Sequence, residues 1–542
     1  MRALMQDYPL LAHTIIDHAA LNHGEREQVT RSVEGPLRRT TLGAMRQRAL
    51  RVAKALQREG IVKGDRIATL AWNTDRHVEA WYGIMGIGAI CHTLNPRLFA
   101  EQLIYIVNHA ADRIVFVDLT FLPIIEKLAE HLPTLERVIV MTDGAHLPAT
   151  TLTNAVAYED WIDGVDDDIA WLRVDENDAA GLCYTSGTTG NPKGVMYSHR
   201  SNVLHAMMVN LPDVFGLDSS DAVLPIVPMF HANAWALAFS GPMVGAKMVM
   251  PGAGMDGQSI YELLDGEQVS CSAAVPTVWL GLLQYLDKTS SQLPFLKRVV
   301  IGGAACPPMM IDRFENDFDV EVIHGWGMTE MSPVGTTGSL KHATRQLDRS
   351  EQLKIKEKQG RTPYLVEMKI VDGEGKDLPR DGETFGNLLV RGPAVSSGYY
   401  RSDESALTAD GWFDTGDVAT IDPSGYMQIT DRAKDVIKSG GEWISSIEIE
   451  NVAVGCQGVA EAAVIGRPHT KWSERPLLIL VREEGSTVEG DTVLGFLKGK
   501  IAKWWMPDDV VFVDELPHTA TGKIQKRDLR DQFAEFRFAD DQ

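Results

Sequence analysis

The densest chemistry in this 542-residue chain lies between Tyr184 and Val195, which reads YTSGTTGNPKGV. Gly187, Gly190 and Gly194 permit positive φ and close approach of backbone to a ligand. Ser186, Thr188 and Thr189 add hydroxyl donors, and Lys193 adds a cation. Successive backbone N–H groups in such a loop form an anion-binding nest. The G-x-x-x-x-G-K-[ST] phosphate loop does not fit, because Lys193 is followed by Gly194 and not preceded by glycine. A plain turn between two strands is the competing reading of the same letters. A second candidate is Lys523, which follows Thr521 and Gly522 in an exposed-turn pattern. Taken alone, a lysine on a surface turn is solvated and idle.

These groups need elements to hold them. The apolar run Ala179–Tyr184 suits a strand leading into the glycine loop. Further strands are expected at Arg66–Ala71, Arg113–Val117, Arg137–Met141, Ala222–Val227 and Lys247–Met250, then at Ser270–Val275, Arg298–Ile301 and Glu321–His324. Helical patterns such as Arg46–Glu59, Arg76–Ile87 and Phe121–His131 lie between them. This alternation predicts an α/β fold with buried, parallel strands. After about residue 360 short alternating strands (Leu365–Val371, Gly386–Arg391, Gly425–Ile429) and Asp-Gly turns predict an antiparallel unit. A further change follows Asp431, with strands near Val459–Ile465, Pro476–Arg482 and Asp509–Val513 and a helix near Val493–Trp505. Residues 1–431 are thus expected to form a large N-terminal domain, and 432–542 a small α+β domain of ordinary size.

Composition narrows the classes. Lys+Arg is 52 and Asp+Glu is 74, a net charge of −22, which disfavours nucleic acid or an anionic membrane as general partners. The five cysteines, Cys91, Cys183, Cys271, Cys306 and Cys456, are scattered with no Cys-x-x-Cys, so reduced, buried thiols in a cytoplasmic protein are expected. The N-terminus offers no signal-peptide stretch. The uncharged run Ala222–Ala246 contains three prolines and reads as buried strand and loop, not a membrane span.

YTSGTTGNPKGV resembles the phosphate loop of the acyl-adenylate-forming superfamily, which includes acyl-CoA synthetases, luciferases and peptide-synthetase adenylation domains. The resemblance continues in order through Gly325–Glu330 (GWGMTE), Gly411–Asp417 (GWFDTGD), Asp431–Gly441 (DRAKDVIKSGG) and Thr521–Lys526 (TGKIQK). It implies a large N-terminal domain with a small, mobile C-terminal lid. It also implies a reaction: carboxylate plus ATP gives acyl-AMP and pyrophosphate, then the thiol of coenzyme A gives a thioester and AMP. By this resemblance Thr185–Lys193 holds the β- and γ-phosphates, and Mg²⁺ is shared among phosphates, Thr188 and Glu330. A helix-start carboxylate is the blander reading of Glu330. Lys523 would enter the site during adenylation and contact the acid oxygen and α-phosphate.

The resemblance places the nucleotide against Gly302, Gly303, Ala304 and Ala305, against His324, Gly325, Trp326, Gly327, Met328 and Thr329, and near Ile429. Asp417 and Arg432 would take the ribose, with Trp326 stacking on adenine; relatives often carry Tyr at that place, so any bond from its hydroxyl is missing here. Plain core packing is the alternative for Trp326. The lid would pivot at Lys434, with Asp435 sharing the hinge. Lys438, Ser439, Gly440, Gly441, Glu442 and Trp443 would then face the acyl-AMP for thioester formation.

The acid pocket implied by the same resemblance lies at His231 and Trp235, opposite Gly302, Gly303, Gly327, Met328 and Pro333. These residues offer no cation for a second carboxylate, so an apolar monocarboxylic acid is expected. Trp235 would close the pocket floor and His231 would gate it; core roles are the alternatives. FHANAW with GWGMTEMSPVG is similar to the branch of bacterial medium- and long-chain fatty-acid CoA ligases, and within it to 3-methylmercaptopropionate-CoA ligases of the dimethylsulfoniopropionate pathway. The expected acid is 3-methylmercaptopropionate, with short or medium fatty acids as the alternative and loading of an acyl-carrier protein as a second. A homodimer is expected by analogy with relatives.

Overall fold

Apolar runs of four or five residues, too short for helices, must be covered on both faces once paired into parallel sheets. Two such sheets build the N-terminal part. In this computed structural model, which describes residues 4–185, 191–432, 435, 437–439, 442–518 and 524–539, the first sheet has seven strands. Their spatial order is Ala155–Ala157, Arg137–Val140, Ile114–Val117, Arg66–Leu70, Ile90–Thr93, Ala179–Tyr184 and Gly194–Ser198. All neighbours are parallel except the last pair, which is antiparallel. The second sheet has eight strands. It runs from Val334–Thr337 through Glu321–Gly327, Arg298–Ile301, Cys271–Ala274, Ala222–Pro225, Lys247–Met250 and Glu27–Arg31 to Leu37–Thr41, antiparallel only at its two edges.

Helix Asp75–Gly86 is buried along its whole length. Its charges are therefore paired: Asp75 with Arg38 at 3.3 Å, Arg76 with Glu159 at 2.8 Å and Glu79 with Arg48 at 2.8 Å. Unpaired, such buried charges would be strongly destabilising. Leu42–Arg58, capped by the Thr41 hydroxyl on the Ala44 N–H, packs alongside.

The expected antiparallel unit is a four-stranded sheet of Glu367–Val371, Gly386–Arg391, Phe413–Ile421 and Met427–Arg432. Beyond it, Ile437–Ser439, Glu442–Ile444, Val459–His469, Ser473–Arg482 and Asp509–Phe512 form a separate sheet. Two apolar clusters cover that sheet, and every residue of both lies beyond 436. All five cysteines are buried and free. Among the described residues no helix is long and apolar enough to cross a membrane.

Three elements differ from the sequence expectation. The predicted helix Val493–Trp505 is split into Gly490–Leu497 and a short 3₁₀ turn at Lys503–Trp505. Gly499, at φ +82°, breaks it. Phe121–His131 is α-helical only over Leu122–Leu128, with 3₁₀ turns at both ends. The run Ala222–Ala246 contains a helix, Leu237–Val244, despite Pro242 inside it. Being apolar on every side, that helix shows no periodicity to reveal it.

Candidate active site

The glycine loop joins the antiparallel strands Ala179–Tyr184 and Gly194–Ser198. The Thr185 N–H donates to the Lys193 carbonyl at 2.9 Å, which closes its base. Ser186, Gly187, Thr188, Thr189 and Gly190 lie outside the described residues. The Lys193 ammonium sits 4.7 Å from the centre of the Tyr399 ring. The hydroxyl of the same tyrosine donates to Glu330 Oε1 at 3.0 Å. Tyr399 thus ties the cation at the end of the loop to the buried carboxylate of GWGMTE. Burial, then the Glu330 charge, pushes the Tyr399 hydroxyl well above its usual pKa, so it stays a donor. The backbone around Glu330 is pinned twice more: Ser396 N–H to the Glu330 carbonyl at 2.7 Å, and Tyr197 hydroxyl to the Thr329 carbonyl at 2.8 Å. Spacing gave no sign of Tyr399 or Tyr197; Tyr399 is 69 residues from its partner.

Asp417 and Trp326, 91 residues apart, meet directly: the indole N–H donates to Asp417 Oδ2 at 3.0 Å. Both are buried. Asp417 pairs across the strand with Arg432, whose backbone closes the antiparallel sheet. Ile429 lies on the same strand, its N–H donating to the Gln359 side chain at 2.6 Å. His324 is fully buried; its Nε2 accepts from the Cys306 N–H at 3.3 Å and its Nδ1 faces the Lys356 carbonyl. Burial lowers its pKa to about 4. Its imidazole therefore braces the Gly302–Cys306 segment, while Gly303 and Ala304 stay exposed.

Among the residues expected at the acid pocket, Gly302 approaches Trp235 and Gly327 approaches Pro333. A Cβ on Gly302 would lie 3.2 Å from the tip of the Trp235 ring and 2.9 Å from the Gly325 carbonyl. A Cβ on Gly327 would lie 2.2 Å from the Pro333 carbonyl, which accepts from the Met328 N–H at 3.1 Å. Only glycine allows these approaches. Trp235 is presented unusually. Ala232, Asn233, Ala234, Trp235 and Ala236 all have φ between 44° and 69°. Five successive non-glycine residues in the left-handed region cost roughly 1–2 kcal/mol each. Such a turn persists only where packing over-determines it, and it marks functional sites more than ordinary cores. His231, partly buried, precedes this turn. The sequence showed the residue types here but no hint of the left-handed backbone.

On the C-terminal unit, Lys438 is exposed and Ser439 buried on a hairpin strand paired with Glu442 and Trp443. Arg475 reaches Ser439 Oγ at 3.2 Å. Asp435 pairs with Arg530 at 2.5 Å. Lys434, Gly440, Gly441 and Lys523 lie outside the described residues.

Lys193 at the base of the glycine loop, Glu330 joined to it through Tyr399, and the Trp326–Asp417 pair all lie within motifs that the sequence linked to nucleotide-dependent activation of an acid. Profile comparison agrees: the AMP-binding enzyme family matches residues 16–400, and its C-terminal domain matches 448–523. The chain belongs to the AMP-binding enzyme family, and within it is an acyl-CoA ligase that uses ATP, forms AMP and takes coenzyme A as co-substrate. It is 50% identical over 533 residues to the 3-methylmercaptopropionyl-CoA ligase of Ruegeria lacuscaerulensis, covering 98% of this chain and 99% of that one. It is 47% identical over 535 residues to the medium-chain-fatty-acid–CoA ligase of Ectopseudomonas oleovorans, covering 99% and 98%. Among solved structures it superposes on the anthranilate CoA ligase AuaEII in complex with anthranoyl-AMP, with a TM-score of 0.87, 27% identity and coverage of 98% and 99%.

Proposed function

We propose that the acid is 3-methylmercaptopropionate, converted through its acyl-adenylate to the CoA thioester. The observation that carries this reading is the Trp235 ring lying against Gly302, which would shorten the pocket and turn an aromatic face towards the acyl chain. A thioether sulfur gains from such an aromatic contact. The Ruegeria relative bears the corresponding name. A medium-chain fatty acid is the second reading, favoured by the Ectopseudomonas relative.

In the first half-reaction a carboxylate oxygen attacks the α-phosphorus as the bond to pyrophosphate breaks. Both reactants are anions, so the chain must supply cations and N–H groups. In this reading Lys193 and the Thr185–Gly190 loop take the β- and γ-phosphates, and Asp417 and Arg432 the ribose. Lys523 meets the charge that moves between acid oxygen and α-phosphate. Mg²⁺ fits the donor set: Glu330 is one buried carboxylate beside the phosphate loop, and Mg²⁺ takes few protein oxygens and keeps waters and phosphates. Glu330 and the Thr188 hydroxyl would hold it, and its charge would offset that of the phosphates. In the second half-reaction the unit beyond residue 431, turning at Lys434 and Asp435, presents Lys438–Trp443. The CoA sulfur attacks the acyl carbon, and AMP leaves.

The test is pyrophosphate release with propionate, butyrate, hexanoate, octanoate, decanoate and methylmercaptopropionate, compared by kcat/KM. Methylmercaptopropionate is expected to lead. A clear lead for decanoate overturns the substrate and leaves the ligase. The homodimer rests on analogy alone; sedimentation equilibrium at working concentration tests it.

A further inference from the structure

The helix His199–Val209 carries none of the substrate contacts assigned above; it buries Val203, Ala206, Met208 and Val209, and with them the polar His199, Ser201, Asn202 and His205. A helix packed into a core ordinarily buries an apolar stripe. Two of these polar groups reach the two walls of the acid pocket. Asn202 Oδ1 accepts from Asn233 Nδ2 at 3.2 Å, inside the left-handed turn that carries Trp235. Three residues on, and so on the same helix face, His205 Nε2 accepts from the Val334 N–H at 2.9 Å. Val334 directly follows Pro333, on the opposite wall. Accepting at Nε2 requires a neutral ring with its proton on Nδ1. Burial holds the His205 pKa down at about 3, so the ring stays neutral at working pH.

Among the described residues, no hydrogen-bond partner meets the buried Asn202 Nδ2 and His205 Nδ1. Each of these two side chains joins the helix to one wall of the pocket through a single bond. One rigid helix face grips both the strained turn and the Pro333–Val334 strand start.

We propose that Asn202 and His205 are positioning residues for acid selectivity, setting the distance between Trp235 and Pro333 and so the length of acid accepted. This rests on the acid-pocket reading above. Cutting the Asn233 tie frees the turn to shift Trp235 away from Gly302. Cutting the Val334 tie frees the opposite wall. Both changes admit longer chains without touching the nucleotide groups.

The experiment measures kcat/KM for butyrate, octanoate and methylmercaptopropionate, with KM for ATP, in Asn202→Ala, Asn202→Ser, His205→Phe, His205→Gln and Trp235→Ala. One methylene in an apolar pocket changes kcat/KM by roughly 10–200-fold. The octanoate-to-butyrate ratio should therefore rise by at least about fivefold in Asn202→Ala and His205→Phe, with ATP KM unchanged. His205→Gln, whose amide oxygen can still accept from Val334, should keep the native ratio. Asn202→Ser, too short to reach Asn233, should shift like Asn202→Ala and stands in if that variant does not fold. Equal losses on both acids, with the ratio unmoved while Trp235→Ala moves it, overturn the inference and spare the pocket. A ratio unmoved in Trp235→Ala as well overturns the pocket assignment and the inference with it.

Discussion

At the scale of single residues, the site joins groups that sequence separates widely. Glu330 and Lys193 were legible from their motifs, but the tyrosine between them was not, since a tyrosine in Gly398-Tyr399-Tyr400 carries no spacing signal. Removing the Tyr399 hydroxyl deletes a hydrogen bond to a charged group, worth about 1.5–3 kcal/mol. Tyr399→Phe is expected to raise the Mg²⁺ concentration for half-maximal pyrophosphate release by about tenfold, with acid KM little changed. Tyr399→Leu, which also loses the ring beneath Lys193, should raise ATP KM further; a flat Mg²⁺ titration in both variants refutes the role. Lys523→Ala is expected to slow acyl-AMP formation roughly 10²–10³-fold and to spare thioester formation from supplied acyl-AMP. Single-turnover assays of each half-reaction decide it, and equal loss in both rejects the assignment.

At the scale of elements, backbone approach does what side chains cannot. The strand Glu321–Gly327 delivers Trp326 to Asp417 and then turns tightly through Gly327, where the Pro333 carbonyl fills the space a side chain needs. Gly327→Ala must move backbone, not a flexible side-chain end. It is expected to displace the Met328–Pro333 turn and reduce adenylation at least about 10²-fold, as misplacing reacting groups by about 1 Å does. Circular dichroism with a pyrophosphate assay checks this; full activity in a normally folded variant contradicts it. The left-handed turn at Ala232–Ala236 makes the same point in reverse. Alanines and a tryptophan are poor letters for that backbone, so nothing local predicts it. Packing and the Asn202 tie impose it.

At the scale of the whole molecule, buried titratable groups set the acid limit. Burial lowers His13, His77, His199 and His324 to about 4 and His205 to about 3. Below the unfolded value of about 6.5 the unfolded chain takes up these protons and the folded chain does not, so stability falls as pH falls. Each such histidine withdraws up to about 1.4 kcal/mol per pH unit until its folded pKa is reached. Glu79 and Asp118, both raised to about 7 chiefly by burial, act with the opposite sign, gaining stability as pH drops through 7. Asp112, Glu357 and Glu448, also raised chiefly by burial, add to that offset, and His109, lowered chiefly by burial, joins the histidines; the large downward shifts of the five deeply buried histidines are expected to prevail. The melting temperature is expected to fall steadily from pH 6.5 to 4.5; calorimetry showing it constant or rising would refute the balance.

The sequence by itself determined the α/β order of strands and helices, the change of pattern beyond residue 431 and the five ordered motifs. Those features live in local periodicity, turn chemistry and short runs of special residues. It also named the residues expected at the acid pocket. Only the tertiary structure decided that Tyr399 spans Lys193 and Glu330, that Trp326 bonds Asp417, that Leu237–Val244 is a helix, and that Trp235 stands on left-handed backbone. Each of these depends on partners tens of residues away or on packing strong enough to override local preference. Neither leaves a trace in neighbouring letters.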